Sequence, residues 1–183
     1  MTKRRLVLIG IIAAMGVRVG VAADPITEEL RRHWEATRNQ IVRIAEAIPE
    51  NKYDYRPTPE VRSFREQLLH LIGENYMYMG MAGGGNATAP QTENLKTREE
   101  ILKALSESYD YGTKVLAGLN DQKAVETVTG FRGQQMLRLG VVITNIKDNH
   151  EHYGNLVTYL RLNGIVPPRT AARQQQRSGA LRR

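Results

Sequence analysis

The longest run of helical periodicity in this chain lies between about Gln135 and Asn163, and it limits the fold more than any other feature. Its apolar residues recur with the 3.6-residue period of an α-helix, which predicts a face buried in a core. They are Leu139, Val142, Ile143, Ile146, Tyr153, Val157 and Leu160. Gly164 and the Pro167-Pro168 pair mark the end of this helix.

Three further segments carry the residues that start and stop helices. Asp24 is the predicted N-cap of the first helix, and Pro25 occupies its first helical position. This helix is predicted to end before Pro49. Capping boxes, in which a hydroxyl and a carboxylate three residues apart bind each other's backbone amides, open the other two. These boxes pair Ser63 with Glu66 and Thr97 with Glu100, and their helices run to about Ala82 and about Leu119.

The connections between these segments are long and polar. Residues 48–62 form a polar turn with Pro57 and Pro59, residues 83–96 are rich in Gly, Ala and Asn, and residues 120–134 cross between the third and fourth helices. Only residues 125–130, VETVTG, resemble a short extended piece. We therefore predict an all-α protein over residues 24–168, a four-helix bundle with long crossover connections.

The N-terminal 23 residues have the pattern of a signal peptide. Lys3, Arg4 and Arg5 precede an apolar run too short for a comfortable membrane span, and Ala23 ends a set of small residues. We expect export to the periplasm or the medium, cleavage after Ala23, and no stable membrane span afterwards. An uncleaved N-terminal anchor is the alternative.

The net charge of +7 comes from the two ends of the chain. Residues 1–23 carry four basic groups and residues 169–183 carry five arginines, and neither segment has an acid. The remainder has 17 basic and 19 acidic residues, so a nucleic-acid-binding surface is not expected. The tail, 169–183, has few large apolar residues and is predicted to be disordered. The chain has no cysteine, which excludes disulfides and a thiol nucleophile.

A metal site is the most specific chemical prediction. Asp148 and His152 stand four residues apart in the fourth helix, so their side chains leave it on the same face. A carboxylate and an imidazole at this spacing can bind one divalent cation when another helix supplies a third ligand. His70, in the second helix, is the candidate. The predicted ligands are therefore His70, Asp148 and His152.

Other interpretations of the fourth helix remain open. Asp148, His152, Asn155 and Tyr159 form a polar stripe, and such a stripe is usually a solvated face. Here it holds His, Asn and Tyr in place of the usual Lys and Glu. His150 falls inside the apolar stripe and is either a core histidine or the ligand in place of His152.

The remaining histidines and the second helix are less specific. His70 projects away from the main apolar stripe of its helix, towards a second helix seam, a site or solvent. His33 has no partner at metal spacing and is expected on the surface. The run YMYM at 76–79 is either part of a binding site or core filling, and core filling is the commoner use. Candidate proton carriers for an enzyme are Tyr159, Glu74 and Asn155.

Two motifs resemble the DinB-like (DinB/YfiT-like) family of small metal-binding four-helix bundles. YDYRPTPEVRSFREQLLHL, residues 53–71, is similar to the loop and second helix that carry the family's first histidine ligand. EHYGNLVTYLRLNGIVPP, residues 151–168, is similar to its fourth-helix signature. The family's usual three histidines correspond to His70, Asp148 and His152, so an aspartate stands where histidine is usual.

The resemblance implies a divalent metal, which is zinc, nickel, iron or manganese, and a small-molecule substrate. Some relatives are metal-dependent thiol transferases, and hydrolysis is the other reaction class expected. A non-enzymatic periplasmic binding or stress-related protein with a vestigial metal site is the alternative. Bundles of this kind often pair through helix faces, so a homodimer is also expected.

Overall fold

Four long helices form the body of the protein, in a computed structural model that describes residues 24–85 and 88–180. These helices are α1 (Pro25–Ala47), α2 (Phe64–Gly83), α3 (Arg98–Ala117) and α5 (Arg138–Leu162). Helix α1 packs against α3 and α5, and α2 packs against the same two helices, which gives a closed four-helix arrangement. The predicted all-α bundle is therefore confirmed.

Small elements occupy the connections. The crossing from α3 to α5 contains a one-turn helix, α4 (Asp121–Ala124), and an antiparallel hairpin of β1 (Thr127–Thr129) and β2 (Gln135–Leu137). Strand β1 confirms the extended piece expected at 125–130. The fourth long helix begins at Arg138, and not near Gln135 as predicted, because Gln135–Leu137 pairs with β1.

The helix starts show both a confirmation and a correction. Both predicted capping boxes are present, at Ser63 and at Thr97. Asp24 is the N-cap residue of α1, as predicted, but its side chain does not cap the helix, because its carboxylate accepts a hydrogen bond from the backbone amide of Asp121 at 3.0 Å. Asp121 in return accepts from the amides of Ile26 and Thr27 at 3.1 and 2.9 Å. The cap of α1 thus comes from α4, 94 or 95 residues away along the chain.

The buried face of α5 differs from the predicted apolar stripe. Ile143 is 49% exposed, and Tyr153 is only partly buried. The residues that α5 does bury include several polar ones; they are Val141, Val142, Asn145, Asn149, His152, Leu156, Tyr159 and Leu160. The helix is rotated from the expected position because these polar groups find hydrogen-bond partners inside the bundle.

A network of buried amides and hydroxyls joins α2, α3 and α5. The side-chain amide of Asn149 donates to the side-chain oxygens of Asn75 and Asn145, at 3.0 and 2.9 Å. Asn75 donates to Ser108 at 3.1 Å, and the hydroxyl of Tyr109 donates to Asn149. All five side chains are fully buried, so the network fixes the position of α2 relative to α5.

The C-terminal segment is helical, which corrects the predicted disordered tail over residues 169–180. Helix α6 (Pro168–Ala180) contacts α1 but buries none of its own side chains. Pro168 at its first position and a run of Ala, Arg and Gln favour a helix intrinsically, which explains how it forms without a core. Across residues 24–85 and 88–180, no helix has the length and apolarity of a membrane span. The predicted signal peptide lies outside the described residues.

Candidate metal centre

His70, Glu74 and His152 converge between α2 and α5. The two helices run antiparallel, since the His70 end of α2 meets His152 while Ala82 near its other end accepts a hydrogen bond from Arg138. His70 and Glu74 lie four residues apart on one face of α2. One potential ligand atom from each of His70, Glu74 and His152 lies within 4.8 Å of the other two.

The distances in this cluster suit groups that share one cation. Nε2 of His70 lies 3.1 Å from one oxygen of Glu74, and Nε2 of His152 lies 3.7 Å from the other. The two imidazole rings meet edge to face, with centroids 5.0 Å apart. The side chains of His152 and Glu74 are only 10% and 15% exposed, whereas that of His70 is 32% exposed. The cluster is therefore closed towards α5 and most open at His70.

Asp148 lies beside this cluster. It precedes His152 by one turn of α5, and its Oδ2 is 3.7 Å from Nε2 of His152. The structure therefore brings together two of the predicted ligands, His70 and His152, with Asp148 adjacent and Glu74 as the third member of the cluster. Direct coordination by Asp148 stays a prediction.

The two carboxylates show that a positive group fits here. Oε2 of Glu74 and Oδ2 of Asp148 are buried and have no hydrogen-bond partner among the described residues. Burial, together with the negative charge of Asp148, raises the pKa of the Glu74 carboxyl to about 8. Two buried carboxylates with unpaired oxygens require a proton or a cation between them.

The histidines are held in the form that binds metals. Burial lowers the pKa of both His70 and His152, and the charge of Arg62 adds to this effect, so both rings are neutral near pH 7. Nδ1 of His152 hydrogen-bonds to the side-chain oxygen of the buried Gln67. Because that oxygen only accepts, the proton of His152 lies on Nδ1, and Nε2 presents its lone pair to the cluster.

Gln67 should therefore affect metal binding without contacting the metal. We expect Gln67→Leu to lower the affinity for Zn²⁺ or Co²⁺ by about 10- to 100-fold, because His152 loses the partner that fixes its tautomer and orientation. Competition with a chromophoric chelator measures this change. Gln67→Glu keeps an acceptor at the same position and should retain most of the affinity. Equal affinities for Gln67→Leu and wild type would show that the hydrogen bond has no such role.

Metal binding should release a proton at neutral pH. Since the pKa of Glu74 is raised to about 8 in the metal-free protein, a cation must displace its proton. We expect apparent affinity to rise about tenfold per pH unit between pH 6.5 and 8 and then to level off. Calorimetry in two buffers of different ionisation enthalpy, at pH 7, should report about one proton released per cation. No release would contradict the protonated state of Glu74.

The same shift sets the pH dependence of stability without metal. The carboxyl ionises near 4.5 when unfolded but near 8 when folded, so metal-free stability falls as pH rises through this window.

The other sequence candidates lie outside the cluster. His150 is exposed, and its Nδ1 hydrogen-bonds to the Ile146 carbonyl at 2.9 Å, so it is not placed to act for His152. His33 lies on the surface, as predicted, 2.9 Å from Glu29. Asn155 is exposed, and the Tyr159 hydroxyl donates to the backbone carbonyl of Arg62 at 2.7 Å.

The sequence predicts Glu74 only as a proton carrier and makes no prediction for Gln67. Glu74 follows His70 by four residues, the same spacing as that of Asp148 and His152, and this spacing also indicates a ligand. Gln67 gave no comparable indication, because its role depends on the contact with α5.

Comparison with known proteins identifies the family. The sequence model of the DinB family matches residues 15–180. The chain belongs to the DinB family.

Individual relatives are distant in sequence but similar in fold. The uncharacterized protein YjoA of Bacillus subtilis is 23% identical over 142 residues, which cover 75% of this chain and 91% of YjoA. The crystal structure of YjoA superposes with a TM-score of 0.62, at 20% identity, over 74% of this chain and 92% of that one. A DinB-like protein from Bacillus cereus gives 0.69 at 12% identity, over 77% and 95%. These structures support the fold alone.

Proposed function

We propose that this protein is a metal-dependent enzyme, a transferase or hydrolase that acts on a small molecule at the cluster of His70, Glu74 and His152. The main support for this proposal is that two buried carboxylate oxygens, Oε2 of Glu74 and Oδ2 of Asp148, lack hydrogen-bond partners among the described residues. They lie beside the two neutral histidines of the cluster. Two histidines and one glutamate are a ligand set of catalytic zinc sites, in which a further coordination position stays open.

A divalent cation in this cluster would act as a Lewis acid towards an oxygen or sulfur nucleophile of the substrate. The chain's own residues supply the remaining functions. Gln67 orients His152, and the buried Asn75–Asn149 pair holds α2 against α5 at the level of the cluster. Asp148, next to His152 and only 24% exposed, is placed to accept a proton at its free oxygen.

The activity can be tested with general substrates. Protein purified without a histidine tag, stripped and then reloaded with Zn²⁺, Ni²⁺, Fe²⁺ or Mn²⁺, would be assayed for two reactions. These are hydrolysis of 4-nitrophenyl acetate and transfer of a small thiol to 1-chloro-2,4-dinitrobenzene. We expect at least one reaction to depend on the metal and to disappear with chelator. Stoichiometric metal with no metal-dependent rate in either assay would contradict the proposal and favour a binding protein.

We also propose that the protein is exported, with residues 1–23 removed. The support is the sequence pattern of Lys3, Arg4 and Arg5, the apolar run and the small residues before Asp24. Mass spectrometry of the protein from its native cell should give an N-terminus at Asp24. An intact chain starting at Met1 or Thr2 would contradict export by cleavage.

A further inference from the structure

The candidate metal centre has one accessible flank, and it lies on the His70 side of α2. The side chains of His152 and Glu74 are only 10% and 15% exposed, whereas the side chain of His70 is about a third exposed. A molecule that reached the cluster would therefore approach along α2 past His70.

The geometry of α2 places Gly73 on that same flank. Successive residues of an α-helix turn by about 100°, so Glu74 lies about 40° from His70 in one direction and Gly73 about 60° in the other. Gly73 is also at the level of the cluster along the helix, between His70 and Glu74. A Cβ on Gly73 would meet no atom within 4 Å. The space beside the exposed histidine is therefore open.

A cleft of about 640 Å³ begins at this position and follows α2 away from the cluster. It is lined by Gly73, Tyr76, Met77, Gly80, Met81 and, from β1, Val128, among others. Its size falls within the range of small-molecule sites, about 300–1,000 Å³. Tyr76 stacks on Tyr111 of α3, with ring centroids 5.2 Å apart, which holds one wall in place.

We propose that this cleft binds the non-reacting part of the substrate, an apolar or aromatic group attached to the atom that reaches the metal. The proposal rests on the proposed function, because it requires an open metal position. Gly73 leaves the α2 backbone bare for close approach, while Tyr76, Met77 and Met81 provide a polarisable apolar wall. The YMYM run thus divides between two roles, since Met79 is fully buried in the core.

Hydroxamates of different length provide the test. Acetohydroxamate carries only a metal-chelating group and a methyl, whereas 3-phenylpropanohydroxamate carries an aromatic arm that can extend past Gly73. Both would be titrated into the Co²⁺-loaded protein and followed by the visible absorption spectrum. We expect the aromatic compound to bind at least about tenfold more tightly, because its ring leaves water.

Two glycine variants locate the arm. Gly73→Leu fills the start of the cleft and should remove the preference for the aromatic compound, while acetohydroxamate still binds. Gly154→Leu is the matched control, because Gly154 is an exposed helical glycine two residues from His152 with no atom within 4 Å of its Cβ position. It should keep the preference. Circular dichroism would show that both variants remain folded.

Each other outcome has a distinct meaning. Equal affinities for the two hydroxamates in the wild type would overturn the cleft assignment and leave the metal-dependent function intact. A preference that persists in Gly73→Leu would also overturn it, since the arm would lie elsewhere. If neither hydroxamate alters the spectrum, the metal has no open position, and the proposed function itself fails.

Discussion

Replacing His152 with alanine should remove stoichiometric metal from the purified protein, with affinity for Zn²⁺ or Co²⁺ lowered by more than about a hundredfold. Mutation of a residue outside the coordination sphere lowers metal affinity by about 10- to 100-fold, and loss of a ligand should lower it further. His152 contributes Nε2 to the cluster from α5, while His70 and Glu74 come from α2. Its removal therefore breaks the only link between the two helices within that three-residue cluster.

His150→Ala is the matched control for this variant. It makes the same substitution on the same helix, two residues away, but His150 is exposed and bonded to its own helix at the Ile146 carbonyl. Elemental analysis after gel filtration should find one metal per chain in His150→Ala and essentially none in His152→Ala. Loss of metal from His150→Ala with retention in His152→Ala would show that the orientation of α5 is wrong.

Gly112→Ala should destabilise the bundle, although helix propensity alone predicts the opposite. Replacing an exposed helical glycine with alanine raises the free energy of unfolding by about 1 kcal/mol. At Gly112 in α3, however, a Cβ would overlap the indole ring of Trp34, which is fully buried and donates to the Tyr109 carbonyl at 3.1 Å. Overpacking of a closed core costs about 1–3 kcal/mol, so we expect a net loss in this range or larger. Urea denaturation of the metal-free protein measures the free energy of unfolding.

Gly154→Ala serves as the reference for this measurement. Its Cβ meets no atom within 4 Å, so it should show the ordinary gain of about 0.5–1 kcal/mol. Trp34→Phe, which makes room beside α3, should reduce the penalty of Gly112→Ala when the two are combined. A stabilised Gly112→Ala protein would mean that α1 and α3 are further apart than the structure shows.

The sequence was sufficient for those helix boundaries that depend on local signals. The boxes at Ser63 and Thr97 lie within four consecutive residues each, and both form as predicted. The end of α5 at Leu162 precedes Gly164, which adopts a positive φ of 72°. Such features depend on neighbouring residues alone and so can be identified without the fold.

The buried face of α5 could not be identified in this way. Hydrophobicity predicts Ile143 inside, but the core contains Asn145 and Asn149 instead. The side chain of Asn149 bonds to Asn75 and Tyr109 from other helices. Only the assembled bundle shows that Asn149 has these partners. The exchange of caps between Asp24 and Asp121 has the same origin, since those residues are 97 positions apart.

The candidate site was partly accessible from the sequence. The four-residue spacing and the DinB-like motifs identified His70 and His152, which the structure brings together. Glu74 stands four residues from His70, but this spacing alone does not distinguish a ligand from an ordinary surface carboxylate. The contact between α2 and α5 is what places Glu74 beside His152. Asp148 and Glu74 are neighbours on different helices, and the effect of Asp148 on the pKa of Glu74 cannot be read from spacing.

Anomalous diffraction from crystals of the zinc-loaded protein tests the central claim most directly. We expect one strong peak at the zinc edge between α2 and α5, with ligand atoms of His70, Glu74 and His152 about 2.0–2.2 Å from it. A further oxygen of Asp148 at that distance would confirm the predicted aspartate ligand as well. A peak only at the surface pair of His33 and Glu29, or no ordered zinc at all, would contradict the metal centre and the function proposed for it.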